Sequence, residues 1–191
     1  MFTNYSIKTI KEFNKPIVIV GLMGVGKTSV GKLLAKKLSI PFIDSDREIE
    51  NVSSCSIVEL FSLYGETRFR KMEEQVIKRL IDTHKELFIL STGEGGYLAK
   101  STRDYLKENA ITVWINAPMD LLLQRAKFKS TRPLLLDKDP KEILQKLVHE
   151  REAIYKQADV HIITHNESIY KTINTLLQKL STFNSKEKTS N

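Results

Sequence analysis

The chain is 191 residues long, with 41% hydrophobic residues, 28% charged residues and a formal charge of +7; that suffices for one domain whose core needs no metal or disulfide to hold it. No apolar run approaches the roughly 18 residues of a membrane span, and the single cysteine, Cys55, has neither a bridging partner nor metal-ligand spacing around it, so it reads as a structural residue of a cytoplasmic protein. The positive charge suits an anionic partner, but its sign does not choose among nucleic acid, an acidic membrane and a phosphorylated small molecule.

In chain order, residues 1–15 read as a leader, polar enough to be disordered and without the arginines or continuous apolar core of a targeting signal. The leader carries Lys8, Lys11 and Lys15, so the domain that follows, residues 16–180, is less basic than the whole chain. After Pro16 come a short apolar run at 17–20, a glycine loop, and a helix over 28–38 with Val30, Leu33, Leu34 and Leu38 at helical spacing. A second strand is predicted over 41–44 and a short helix over 46–52. Ser56 and Glu59 form a capping box ahead of a helix over 57–64, which Gly65 breaks before another opens over 66–83. Further strands are predicted over 87–90, 111–115 and 160–163, with helices around 102–108, 119–126, 140–158 and 168–180. Residues 127–139, rich in Lys, Arg and Pro and without periodicity, read as a mobile lid, and residues 181–191 as a disordered tail.

This alternation predicts an α/β fold: a central parallel sheet covered by helices on both faces, with ligands bound beyond the carboxyl ends of the strands. The residues that carry chemistry lie there. Gly21-Leu22-Met23-Gly24-Val25-Gly26-Lys27-Thr28 matches G-x-x-x-x-G-K-[ST], in which backbone N–H groups wrap phosphates, the lysine reaches the outer ones and the hydroxyl ligates Mg²⁺. The motif specifies phosphate binding and leaves the acceptor unnamed. Asp44 and Asp46, two apart on extended chain, are expected to point the same way, one holding Mg²⁺ through water and the other orienting an acceptor hydroxyl. The bland alternative is that Asp46 caps the following helix. Arg68, Arg70 and Lys71 share a helix with acids at pairing distance, which fits a solvated charged face as well as an anion site. Spacing leaves the same choice open for Arg125, Arg132 and Arg151.

A family pattern separates them. From Ile17 to about Ala158, Gly-Leu-Met-Gly-Val-Gly-Lys-Thr is followed by Phe42-Ile43-Asp44-Ser45-Asp46, Gly65-Glu66, Phe69-Arg70 and Glu73. Then come Thr92-Gly93, Val113-Trp114, Arg125, Thr131-Arg132-Pro133-Leu134-Leu135, Arg151, Tyr155 and Ala158-Asp159. In these the chain resembles the shikimate kinases. The resemblance implies a three-layer P-loop NTPase fold with a five-stranded parallel sheet and a mobile lid. It implies phosphorylation of shikimate from ATP with Mg²⁺ as cofactor; a monomer is expected, with no nucleic-acid or membrane partner, since neither an aromatic-interleaved basic stripe nor a membrane span is visible. Gly24, Val25, Gly26, Lys27, Thr28 and Ser29 would bind ATP, with Arg125 flanking the adenine and Arg132 reaching the transferring phosphate. Thr28 and Asp44 would serve the metal, and Asp46 the hydroxyl. Arg70 and Arg151, with Gly93 and Gly95, would hold shikimate.

Two departures stand out. The family's triple glycine is here Gly93-Glu94-Gly95, and no proline lies in residues 163–170, where the family often places one against the adenine. Glu94 is expected either to strain the turn or to repel the acceptor's carboxylate, unless it turns outward or pairs with a nearby cation. A kinase of gluconate or a nucleoside monophosphate would share the glycine loop but has no reason to carry Asp46, Arg70 and Arg151 together. A non-catalytic binding module is the alternative if Glu94 spoils the acceptor site.

Overall fold

Every side chain of Ile17-Val18-Ile19-Val20 is fully buried, as a β-branched run must be where helices cover both faces of a strand. This run is β1, at the centre of the fold. The computed structural model describes residues 2–126 and 139–189. The elements run α1 (Phe2–Lys11), β1 (Ile17–Val20), α2 (Lys27–Leu38), β2 (Phe42–Asp44), α3 (Ser45–Ser53), α4 (Ile57–Thr83), β3 (Ile89–Ser91), α5 (Lys100–Asn109), β4 (Ile111–Asn116), α6 (Met119–Ala126), α7 (Pro140–Tyr155), β5 (Val160–Ile163) and α8 (Ile169–Thr189). The five strands form one parallel sheet, as predicted, in the order β2-β3-β1-β4-β5. Val18 pairs with Leu90 of β3 and Thr112 of β4, so β1 sits where the strand order turns back on itself. That switch point is where such sheets bind ligands.

The ends of the chain depart from expectation. The leader forms α1, whose Ile10 is fully buried with Phe13 nearly so, and α1 packs on α8. Ile10 of α1 and Phe13, two residues past its end, add buried apolar surface to the core, which outweighs the flanking lysines. The tail, too, is helical: α8 continues through Thr189. Residues 127–138, most of the expected lid and with it Arg132, lie outside the described residues. Asp139, the last residue of that stretch, is the N-cap of α7 and accepts from Lys141 N at 2.9 Å.

Two local features set the walls of the site. The capping box is formed, with Glu59 N donating to Ser56 Oγ at 3.2 Å and Ser56 N to Glu59 Oε2 at 2.7 Å. At Gly65 the backbone turns to φ 71°, ψ 170° and bends α4 at the predicted break. Past the bend, Phe69 and Glu73 are buried, Arg70 is half-buried, and Arg68 and Lys71 face solvent. Helical phase thus aims Arg70 inward. A small core of Ile49, Leu60 and Phe69 backs this wall, with Cys55 packed against it as a structural residue.

Candidate active site

The glycine loop joins β1 to α2, and its geometry follows from its residues. Gly26 caps α2 at φ 97°, a conformation costly to any side chain, and a β-carbon on Gly21 would collide with the Ile115 carbonyl of β4. The first-turn N–H groups of α2 therefore face the end of the sheet, a ready anion site. Lys27 Nζ donates to Gly21 O at 2.8 Å and Leu22 O at 3.0 Å, which lays its ammonium over the loop. Arg125 Nη1, from the end of α6, donates to Gly24 O at 3.0 Å, so its guanidinium lies against the loop itself. Val25 and Ser29 line the same cleft. Thr164, His165 and Glu167, just beyond β5, also line it. They occupy the stretch that the sequence left without adenine contacts.

Asp44 and Asp46 face one cleft, but not by strand alternation. β2 stops at Asp44, whose side chain accepts from Asp46 N at 3.2 Å and caps α3. The cap is Asp44, not Asp46, and the two carboxylates stand on either side of a strand-to-helix corner. Asp44 Oδ2 also accepts from Thr28 Oγ1 at 3.0 Å. Between them, Ser45 is fully buried and its Oγ accepts from Gly93 N at 3.0 Å, locking the corner to the loop after β3. Burial raises the Asp46 carboxyl from 3.8 to about 6, with the Asp44 charge adding to the rise and Lys27 opposing it.

Beyond Asp46 the cleft is lined by paired charges. Arg70 Nη1 meets Glu73 Oε2 at 2.5 Å, its Nη2 meets Glu66 Oε1 at 3.0 Å, and its guanidinium lies 5.5 Å from the Phe61 ring centre. Burial lifts the Glu73 carboxyl to about 7, against the pull of Arg70. Arg151 of α7 is 9% exposed, and its Nη1 is buried without a hydrogen bond. Among the described residues Nη1 has an ion-pair contact with Glu94 Oε1, at 3.6 Å. Positive φ is absent from Glu94, so the strain expected there is not present; the paired alternative is the one observed. The Tyr155 hydroxyl, held neutral by burial far above its ordinary range, donates to Glu94 O at 2.6 Å and fixes the turn. Gly93 and Gly95 are required for space: a β-carbon on Gly93 would strike the carboxylates of Asp46 and Glu73, and one on Gly95 the guanidinium of Arg70. Glu66, Glu73 and Tyr155 entered the sequence reading only as parts of the family pattern, with no site role assigned, and Phe61 did not enter it. Only the acids three and four residues from Arg70 gave a signal there.

The loop residues Gly24 to Ser29, Asp44, Asp46, Arg70, Glu73, Gly93, Glu94 and Arg125 line one cleft of about 960 Å³, while Arg151 and Gly95 stand behind its wall, Arg151 reaching it through Glu94; the volume is large enough for a nucleotide and a small acceptor together. The hard oxygens of Thr28 and Asp44 beside the glycine loop fit Mg²⁺, which takes one or two protein oxygens together with phosphates and waters. Among the described residues no group of three or more His, Cys, Asp or Glu could hold a metal by itself. No described helix is long and apolar enough to cross a membrane.

A phosphate loop at the switch point of a parallel sheet, sharing its cleft with a raised carboxylate and inward-facing arginines, defines a small-molecule P-loop kinase. Residues 23–181 match the shikimate kinase family model, and the shikimate kinase of Brucella abortus (strain 2308) is 42% identical over 162 residues, covering 84% of this chain and 80% of that protein. The chain belongs to the shikimate kinase family. The structure of shikimate kinase from Acinetobacter baumannii in complex with shikimate superposes with a TM-score of 0.83 at 35% identity, covering 90% of this chain and 95% of that one. A gluconokinase from Sinorhizobium meliloti 1021, 18% identical with a TM-score of 0.58 over 93% of this chain and 98% of its own, shares the fold alone.

Proposed function

We propose that this cleft transfers the γ-phosphate of ATP to the 3-hydroxyl of shikimate, giving ADP and shikimate 3-phosphate. The carrying observation is that Asp46 lines one cleft with Lys27 and Thr28 of the phosphate loop on one side and Arg70, Gly93 and Glu94 on the other, so donor and acceptor chemistry meet at one carboxylate. The loop amides of Gly24 to Ser29, with Lys27, hold the β- and γ-phosphates. Thr28 and Asp44 would hold Mg²⁺, which would supply positive charge against the phosphates. Asp46, a carboxylate above pH 6, accepts the proton of the attacking hydroxyl as the new O–P bond forms and the bond to the ADP oxygen breaks.

The acceptor's carboxylate lies between Arg70 and Arg151. The buried, unbonded Nη1 of Arg151 supports this, because a charged donor so placed gains most from a carboxylate partner. Gly93 and Gly95 leave room beside Asp46 and Arg70. Arg125 steadies the loop next to the nucleotide, and Arg132, outside the described residues, would serve the transferring phosphate. We infer a cytoplasmic monomer acting on two small molecules.

A coupled assay of ADP release tests the proposal: release is expected to require shikimate and to stop when Mg²⁺ is chelated. Equal release without shikimate would refute the acceptor.

A further inference from the structure

Both arginines that face the acceptor are already matched to carboxylates of the protein. Arg70 has Glu66 and Glu73, held at 3.0 and 2.5 Å and built into the same helix. Arg151 has Glu94 at 3.6 Å, a longer contact that leaves Arg151 Nη1 without a hydrogen bond. The two arrangements differ in what can move. Glu73 is sealed at 2% side-chain exposure, whereas the Glu94 side chain is 17% exposed and lines the open cleft. The backbone beneath it is fixed: Tyr155 holds the Glu94 carbonyl at 2.6 Å, Gly96 N donates to Gly93 O at 3.3 Å and Leu98 N to Gly95 O at 2.9 Å. Only the Glu94 side chain is free to leave.

We propose that Glu94 is a specificity-determining residue of the acceptor site, an internal carboxylate that competes with the acceptor's carboxylate for Arg151. This rests on the acceptor reading above. A ligand carboxylate arriving at Arg151 enters within reach of Glu94, with Asp46 and Glu73 close enough to feel the same charge. The two anions cannot both stay on one guanidinium without repulsion, so binding includes moving Glu94 toward solvent. The residue therefore lowers the affinity for carboxylate acceptors while keeping Arg151 charge-balanced between turnovers.

Charge and shape separate cleanly in Glu94→Gln, which keeps the side chain's length and removes its charge; Glu94→Gly serves as the second variant, and thermal melts check that each folds. Trp114 stacks at 6.2 Å on Tyr155, the residue that holds Glu94, so its fluorescence gives a dissociation constant for shikimate independent of turnover. Both variants are expected to lower the KM and Kd for shikimate about three- to tenfold, with the KM for ATP as internal control. The same comparison is made with the carboxamide analogue of shikimate, which has no charge to compete; there the gain is expected to vanish. An unchanged or higher shikimate KM in Glu94→Gln would overturn the proposal, showing that Glu94 positions Arg151 instead. A gain of equal size for the carboxamide would overturn it too. If wild type neither binds nor phosphorylates shikimate, the acceptor reading falls and this proposal with it. If wild type does both and the variants bind no tighter, only the role of Glu94 falls.

Discussion

Replacing Asp46 by asparagine should stabilise the protein at neutral pH while abolishing turnover. Burial and the neighbouring Asp44 raise the Asp46 carboxyl from 3.8 to about 6. Because the folded value lies above the unfolded one, the stability this group contributes is present in full below pH 3.8 and lost as pH rises through about 6. A rise of that size corresponds to about 3 kcal/mol, and contact with solvent trims it to about 1–3 kcal/mol. The substituted amide would forgo a favourable acidic side chain in the first turn of α3, worth about 0.3–1 kcal/mol, so the gain wins. For a chain of this size each kcal/mol moves Tm by about 2–4 °C. Calorimetry of wild type and Asp46→Asn at about pH 7.5 and about pH 4, on either side of the raised value, is the assay, with ADP release measured alongside. The variant is expected to melt several degrees higher at the upper pH and level with wild type at the lower. A lower Tm at the upper pH, or the same gain at both, would refute the electrostatic origin; undiminished ADP release would remove Asp46 from the mechanism.

Two further substitutions probe the two ends of the cleft. Lys27→Ala removes a charge aimed at the transferring phosphate, a contribution commonly worth several kcal/mol in the transition state; turnover should fall well over tenfold, and retention of more than about a tenth, only about 1.4 kcal/mol, would count against the role. Gly95→Ala places a methyl group against the Arg70 guanidinium. It should raise the KM for shikimate about tenfold, the loss of one charge-assisted hydrogen bond, and leave the KM for ATP in place. Equal rises in both would mean that Arg70 serves the whole cleft.

The order of strands and helices was legible because each strand falls in or beside a short apolar run, β-branched in β1, and breaks such as Gly65 and Ser56 carry their own signal. The third strand begins two residues later than expected because the run from Leu87 to Leu90 is apolar throughout, so nothing in it marks the start. The helix α1 was not legible: Ile10 and Phe13 become core only once α8, from the far end of the chain, lies against them. At Asp44 and Asp46 the residues were right and the geometry was not, because side-chain capping by Asp44 ends β2 before the alternation could reach Asp46. Spacing alone did not separate Arg70 from Arg68 and Lys71; the family pattern did, and the physical reason is the phase of a helix whose start depends on the bend at Gly65. The partner of Glu94 could not be read at all, since Arg151 comes from a helix far along the chain and meets it only in the folded protein.

The glycine turn itself shows why its substitution falls where it does. In Gly93-Glu94-Gly95-Gly96, a β-carbon on the first residue would meet two carboxylates, on the third a guanidinium, and on the fourth the side chain of Ile77 at 2.9 Å. Glu73 and Arg70 are held by their own ion pair and Ile77 is buried, so a side chain at any of these positions displaces a group of the site or the core. The second position is the exception: its backbone is free of positive φ and its side chain extends to Arg151 across the acceptor half of the cleft. A side chain is therefore admitted at 94 and nowhere else in the turn, and what it alters is the charge presented to the acceptor. The shape that Gly93 and Gly95 reserve beside Asp46 and Arg70 is kept.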